Sequence, residues 1–246
     1  MKIVYHENFC VVYTDDPAAK PGRIESIRDA LQGVFDFVEP SPASEEDLCL
    51  VHTPAHIELV KHQRLVYEVA LLAVGGAVKA GELAAGGEPA FALVRPPGHH
   101  AGKDMRWGFC YFNNIAISVQ RLLRRGVVKK AVIVDFDLHF GDGTDNIFRN
   151  VSEVSYFHLP ENNSLEALGG YLDSREGYEI IAVSAGFDRH RDDWGGILST
   201  EDYKSIGEIL KEYSKKCWGR VFAVLEGGYN NEVLGKNVRA FLEGLG

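Results

Sequence analysis

The stretch that decides the fold is Ala131-Val132-Ile133-Val134-Asp135-Phe136-Asp137-Leu138-His139-Phe140-Gly141-Asp142. Four apolar residues in a row, with no in/out alternation, mark a strand buried on both faces; the acids and histidine after them mark its carboxyl end. Working outward, the same pattern repeats. Residues 91–94 form another continuous apolar run, stopped by Arg95-Pro96-Pro97-Gly98. Between the two runs, residues 113–125 place Ile115, Ala116, Val119, Leu122 and Leu123 at helical spacing. Downstream, residues 143–148 read as a short helix and residues 154–157 and 180–183 as strands. Ser199 and Thr200 cap a helix to about residue 216, residues 221–225 make a strand, and residues 231–242 close the chain as a helix. Upstream, Thr53-Pro54 offers an N-cap with proline at the first helical position. Residues 65–83 read as a long helix whose Ala and Gly let it lie close to the sheet. The alternation predicts a doubly wound, mainly parallel α/β sheet with helices on both faces. No repeat, low-complexity tract or linker interrupts it, so residues 1–246 read as a single domain.

Composition agrees and narrows the function classes. With 46% hydrophobic residues, 25% charged and 9 Pro, the chain is neither disordered nor fibrous. Its 26 basic against 35 acidic residues give −9, and no basic run tracks a phosphate backbone, so no nucleic-acid partner is expected. The most basic stretch, residues 121–130, is a charged last helical turn with a Gly stop. Four widely spaced cysteines without a C-x-x-C pair support neither a disulfide framework nor a cysteine zinc site, and fit a reducing cytoplasm. The N-terminus turns polar after four residues, and no apolar run approaches the roughly 20 residues of a membrane helix. The expectation is a cytoplasmic protein without membrane contact; a homo-oligomer is compatible with this composition.

In an open parallel sheet, sites form beyond the carboxyl ends of the strands. Four apolar runs deliver reactive groups there: Gly98-His99-His100, Asp135 to Asp142, Ser184 to Asp188, and Glu226-Gly227-Gly228-Tyr229. Asp135, Asp137 and His139 fall on one face at period two if the stretch stays extended, so carboxylate and imidazole can converge on one cation. Asp188, on another strand end, is the natural further ligand, and oxygen with nitrogen donors suits zinc, Fe2+ or another divalent ion. An isolated Asp-x-His is more often a turn cap; three further strand ends of this kind change that balance. His99 and His100 are placed to move protons near neutral pH, with Asp135 and Asp142 left over by counting as their orienting carboxylates. Tyr229 is a donor for an oxygen that gains negative charge. Together these groups specify attack of water on a carbonyl.

Five segments carry a family resemblance: Arg95-Pro96-Pro97-Gly98-His99-His100-Ala101, Gly108-Phe109-Cys110-Tyr111-Phe112-Asn113-Asn114, Asp135 to Asp142, Ser184 to Asp193, and Glu226 to Asn230. Through them the sequence resembles the histone deacetylase and acetylpolyamine amidohydrolase family. The resemblance implies an arginase/deacetylase-like fold and a metal-dependent deacylase, acting through water on one zinc ion held by Asp137, His139 and Asp188. It pairs His99 with Asp135 and His100 with Asp142, makes His100 the principal base and acid, and places Tyr229 on the substrate carbonyl. It gives Gly108 and Phe109 to the acyl-lysine tunnel, with Trp194, Gly227 and Gly228 as further substrate-binding positions, and Arg23 to the cavity through which the acid product leaves. Structural potassium on backbone around Asp135, Asp137 and His139 is implied too. The substrate would be acetyl-lysine or a small acetylated amine.

Three departures stand out. Phe140 occupies the place of a second His, Trp194-Gly195 replaces a Pro and a large apolar residue, and the stretch between His62 and Leu65 lacks the usual acidic loop. The region between His158 and Ile180 is also trimmed, which predicts an open rim with reduced peptide recognition. Two other readings remain: a binuclear arginase-type ureohydrolase, and a non-catalytic ligand-binding member of the fold. The remaining histidines, His190 included, have ordinary surface or core explanations.

Overall fold

The apolar runs lie at the centre of one sheet in the computed structural model, which describes residues 1–160 and 165–246. Among the described residues the strands are β1 (Lys2–Val4), β2 (Asp36–Val38), β3 (Ala90–Ala92), β4 (Ala131–Asp135), β5 (Val154–His158), β6 (Ile180–Ala185) and β7 (Val221–Leu225). Their order is β2-β1-β3-β7-β6-β4-β5, and each neighbouring pair is parallel. Every residue of β3, β4, β6 and β7 is buried, as continuous apolar runs require. These four strands are contiguous in the sheet as β3-β7-β6-β4, so four loops far apart in sequence emerge side by side.

The helices are α1 (Arg23–Leu31), α2 (Glu45–Leu48), α3 (Pro54–Lys61), α4 (Arg64–Ala85), α5 (Asn114–Arg124), α6 (Asp142–Phe148), α7 (Leu165–Asp173), α8 (Thr200–Ser214) and α9 (Asn231–Leu245). α4 packs against α5 and the sheet, while α9 packs against α1 and α8. The small residues of α4 do what their size allows. A Cβ on Gly75 would sit 1.9 Å from the Ser41 carbonyl oxygen, and one on Gly76 2.5 Å from a Val94 methyl. Thr53 caps α3 through its side chain with Pro54 at N1, and Ser199 forms a capping box with Asp202 at the start of α8.

Several elements differ from the sequence expectation. Thr200 is the first helical residue of α8 rather than its cap, and α8 stops at Ser214, with a 3-10 turn, Lys215–Cys217, beyond it. β3 runs from Ala90 to Ala92, because the chain turns into the proline segment and only Leu93 N still bonds across, to Val4 O. The three-residue strands β1 and β2 and the helices α1, α2 and α7 carry no periodicity strong enough to announce them; β2 is a half-exposed edge. His62 and Gln63 alone separate α3 from α4, in keeping with the shortened stretch. No helix among the described residues is long and apolar enough to cross a membrane.

Candidate active site

β4 ends at Asp135, so the period-two face expected for Asp135, Asp137 and His139 does not form. Each acid instead captures the backbone N–H two residues on: Asp137 N donates to Asp135 Oδ1, and His139 N to Asp137 Oδ1, both at 3.0 Å. These stacked Asx turns leave Asp135 in the sheet and bring Asp137 and His139 out towards Asp188, which follows β6. Ligand atoms of Asp137, His139 and Asp188 lie within 4.8 Å of one another. Gly227 N donates to Asp137 Oδ2 at 2.7 Å, and Leu138 N to Asp188 Oδ1 at 3.0 Å. Asp188 Oδ2 is buried, 3.2 Å from His139 Nδ1, and accepts no hydrogen bond. Gly186 and Gly227 are small of necessity here, since a Cβ on either would fall within 2.5 Å of Asp137 Oδ2.

The electrostatics of this group are those of a cation site. Burial pushes the Asp188 carboxyl up, and the charge of Asp137 adds to it. For Asp137, burial is outweighed by His99 and His139, which hold it below the usual carboxylate range. The hydrogen bond to Asp137 and the closeness of Asp188 push His139 up to about 10. Two buried carboxylates that repel, one imidazole and one buried oxygen without a donor fit a divalent ion with oxygen and nitrogen preference.

Two histidine–carboxylate pairs flank the group. His99 Nδ1 is 3.1 Å from Asp135 Oδ2 and His100 Nδ1 is 2.7 Å from Asp142 Oδ1. Each acid is also held by an aromatic donor: Tyr156 OH reaches Asp135 Oδ2 at 2.8 Å, and Trp107 Nε1 reaches Asp142 Oδ2 at 2.9 Å. Burial and then the His99 charge hold His100 down at about 4, with Asp142 pulling the other way. His99 moves oppositely, its burial overcome by Asp137 and Asp135.

A cleft of about 140 Å³ opens over these groups, lined by His99, His100, His139, Gly108, Phe109, Trp107, Trp194, Gly227 and Tyr229 among others. Gly108 and Phe109 have φ of +58° and +67°, and a Cβ on Gly108 would strike the His100 ring. This turn sends Trp107 onto His100, ring centroids 3.9 Å apart, and Phe109 edge-on to Tyr229. Trp194 stacks on Tyr229 at 4.0 Å, and Asp193 Oδ2 accepts the backbone N–H of both Tyr229 and Asn230. Gly228 is not among the cleft residues; its φ is +113° and its carbonyl accepts Arg23 Nε at 2.7 Å. Arg23 thus lies behind the site, its guanidinium 5.4 Å from the Tyr229 ring centre and bonded to Glu226 O as well. His190 is buried against Tyr203 and bonds to Asp192 N, away from the cleft.

Sequence reasoning missed Trp107, Tyr156 and Arg189, and gave no role to Glu226, which it placed at a strand end. Tyr156 pairs with Ile133 across β4 and β5, and strand register is not written in either segment alone. Glu226 is fully buried and accepts Gly98 N at 2.6 Å, His99 N at 3.2 Å and Ser184 Oγ at 3.1 Å. It pins the tandem-histidine turn, and burial pushes it up to about 7. A second donor set, His99, Cys110 and Glu226, is therefore committed to structure, since His99 is taken by Asp135 and Glu226 by these hydrogen bonds.

Fold and site together define an arginase/deacetylase-like α/β protein. Residues 17–164 and 177–245 match the histone deacetylase domain, and the chain belongs to that family. A probable deacetylase of Methanothermobacter thermautotrophicus is 32% identical over 100% of this chain and 90% of its own length. The acetylpolyamine amidohydrolase of Mycoplana ramosa is 32% identical over 73% of this chain and 63% of its own, and mouse polyamine deacetylase HDAC10 is 29% identical over 96% and 46%. The HDA15 HD domain crystal structure superposes with a TM-score of 0.87 at 22% identity, covering 100% of this chain and 90% of that one, and speaks for the fold. The chain is a deacetylase, a hydrolase of amide bonds.

Proposed function

We propose that this deacetylase is zinc-dependent and removes the acetyl group from acetyl-lysine or a small acetylated amine. The observation that carries the reading is the convergence on one cleft of Asp137, His139 and Asp188, two histidine–carboxylate pairs, and Tyr229. Asp137, His139 and Asp188 would hold a divalent ion, which would supply Lewis acidity toward the acyl oxygen and the attacking water. His100 is the base: with Nδ1 on Asp142, its Nε2 accepts the water proton and returns one to the departing amine nitrogen. His99 is buried between Asp135 and Asp137, its Nδ1 3.1 Å from Asp135 Oδ2 and its Nε2 3.7 Å from Asp137 Oδ1, beside the reacting centre. The Tyr229 hydroxyl donates to the acyl oxygen as it gains negative charge, its ring kept in place by Trp194 and Phe109. Trp107 orients His100 through Asp142 and by direct ring contact.

The substrate class rests on the names and reach of the relatives, two of which act on polyamines, and on the short α3–α4 connection, which leaves no acidic loop to grip a peptide backbone. A net charge of −9 also favours a cationic amine. Acetate release from acetylspermidine and from acetyl-lysine peptides, measured on zinc-loaded protein, tests the proposal; strong sequence preference among peptides would overturn the reduced-rim part of it.

A further inference from the structure

The resemblance implies a potassium ion beside the metal strand, on backbone oxygens around Asp135, Asp137 and His139. The oxygens of the first two already accept hydrogen bonds. Asp135 O accepts Leu159 N at 2.8 Å. Asp137 O accepts Arg189 Nε at 3.0 Å and lies 3.0 Å from His158 Nε2. The same Arg189 Nε donates to Phe136 O at 3.1 Å, Nη2 to Leu159 O at 2.6 Å, and Nη1 to Pro160 O at 3.3 Å. Both carboxylate oxygens of Asp135 are also taken, one by Asp137 N and the other by Tyr156 and His99. With the Arg189 guanidinium on the Asp137 and Leu159 carbonyls, a potassium ion on the same oxygens would lie against a buried like charge, and it does not fit this chain.

We infer that the Arg189 guanidinium is the built-in cation of this position: a positioning residue that fastens the metal-binding turn and makes bound potassium unnecessary. Arg189 is 1% exposed, and a guanidinium stays charged when buried, so its charge must be met by acceptors fixed around it. The carbonyl oxygens of residues 136, 137, 159 and 160 are among these acceptors, as they would be for a monovalent ion. The clamp joins three loops. Arg189 directly follows Asp188, its Nε holds the turn that carries Asp137, and its other nitrogens hold residues 159 and 160 beyond β5. Both proposed carboxylate ligands are thereby tied to one rigid side chain. A bound ion is held by mass action, whereas this cation cannot dissociate.

The test has a stability arm and a metal arm; the second rests on the proposed zinc site, the first does not. Thermal unfolding of the full chain in matched concentrations of potassium, sodium and choline chloride is expected to give the same Tm in all three, with and without zinc. A Tm higher in potassium than in both other salts would overturn the inference. Arg189→Gln is expected to weaken zinc affinity about tenfold or more, as loss of groups that support ligands does, with acetate release falling in step. An Arg189→Gln protein that folds and binds zinc as the wild type does would also overturn it. If that variant fails to fold, the wild-type salt comparison decides; if the chain releases no acetate at all, Tm and zinc affinity still report on Arg189.

Discussion

Asp142 holds His100 with one oxygen and Trp107 with the other, yet its side chain is 40% exposed. An indole can only donate, so Asp142 Oδ2 accepts from Trp107; with Oδ1 accepting from His100 Nδ1, the His100 Nε2 is free for the cleft. Trp107→Phe keeps a ring over His100 and removes the donor. We expect kcat to fall about tenfold with KM and zinc content unchanged, in the range for losing a hydrogen bond to a charged group; an unchanged kcat would remove Trp107 from the machinery. Two further substitutions separate roles. Asp188→Ala should lose both zinc and acetate release. Tyr229→Phe should keep zinc by elemental analysis while kcat falls about 10²- to 10³-fold, the scale of a lost oxyanion donor. Equal metal loss in both would undo the assignment. Most of these residues were legible because reactive side chains follow apolar runs. Trp107, Tyr156 and Arg189 were not, nor was the role of Glu226, since each acts by reaching across strands or loops whose adjacency is a property of the sheet order.

Elements set those residues by close contact and by buried polar ties. Gly75 lies in the interior of α4, where alanine is the better helix former by about 1 kcal/mol. Its Cβ would nevertheless fall 1.9 Å from the Ser41 carbonyl, so Gly75→Ala should lower stability, by about 1–3 kcal/mol for forced repacking, in urea denaturation. A gain would refute the close approach. His52, between α2 and α3, has Nδ1 2.8 Å from Gly102 O while Nε2 accepts Asn113 N at 2.9 Å, which ties α5 to the loop after His100. Burial holds it down at about 3. The unfolded chain takes up a proton there below about 6.5 and the folded chain does not, so this group's contribution is complete above 6.5 and lost as pH falls towards 3, about 1.4 kcal/mol per unit. An NMR titration should find the ring neutral down to about pH 5; a midpoint near its ordinary value would contradict the fixed tautomer. Long periodic elements such as α4 and α5 were legible in the sequence. The turn at Asp137 was not, because side-chain capture of the backbone competes with extension and leaves no pattern in hydrophobicity.

At the scale of the whole molecule, the order β3-β7-β6-β4 does the assembling: four neighbouring carboxyl ends place acids, imidazoles and a phenol over one cleft. The sheet class follows from the apolar runs, but the order does not, because β1 and β2 are three-residue strands at one side and the chain crosses between halves after β3. The charge of −9 predicts that added salt lowers kcat/KM for acetylspermidine more than for an uncharged acetamide, read from rates across ionic strength. The central claim, one ion in one site driving amide hydrolysis, has a direct measurement. Zinc is titrated into metal-stripped protein while acetate release from acetylspermidine and an acetyl-lysine peptide is followed. The account predicts that the rate rises from background and saturates at one zinc per chain. Saturation at two would point to a binuclear site, and no acetate release at any loading would contradict the account.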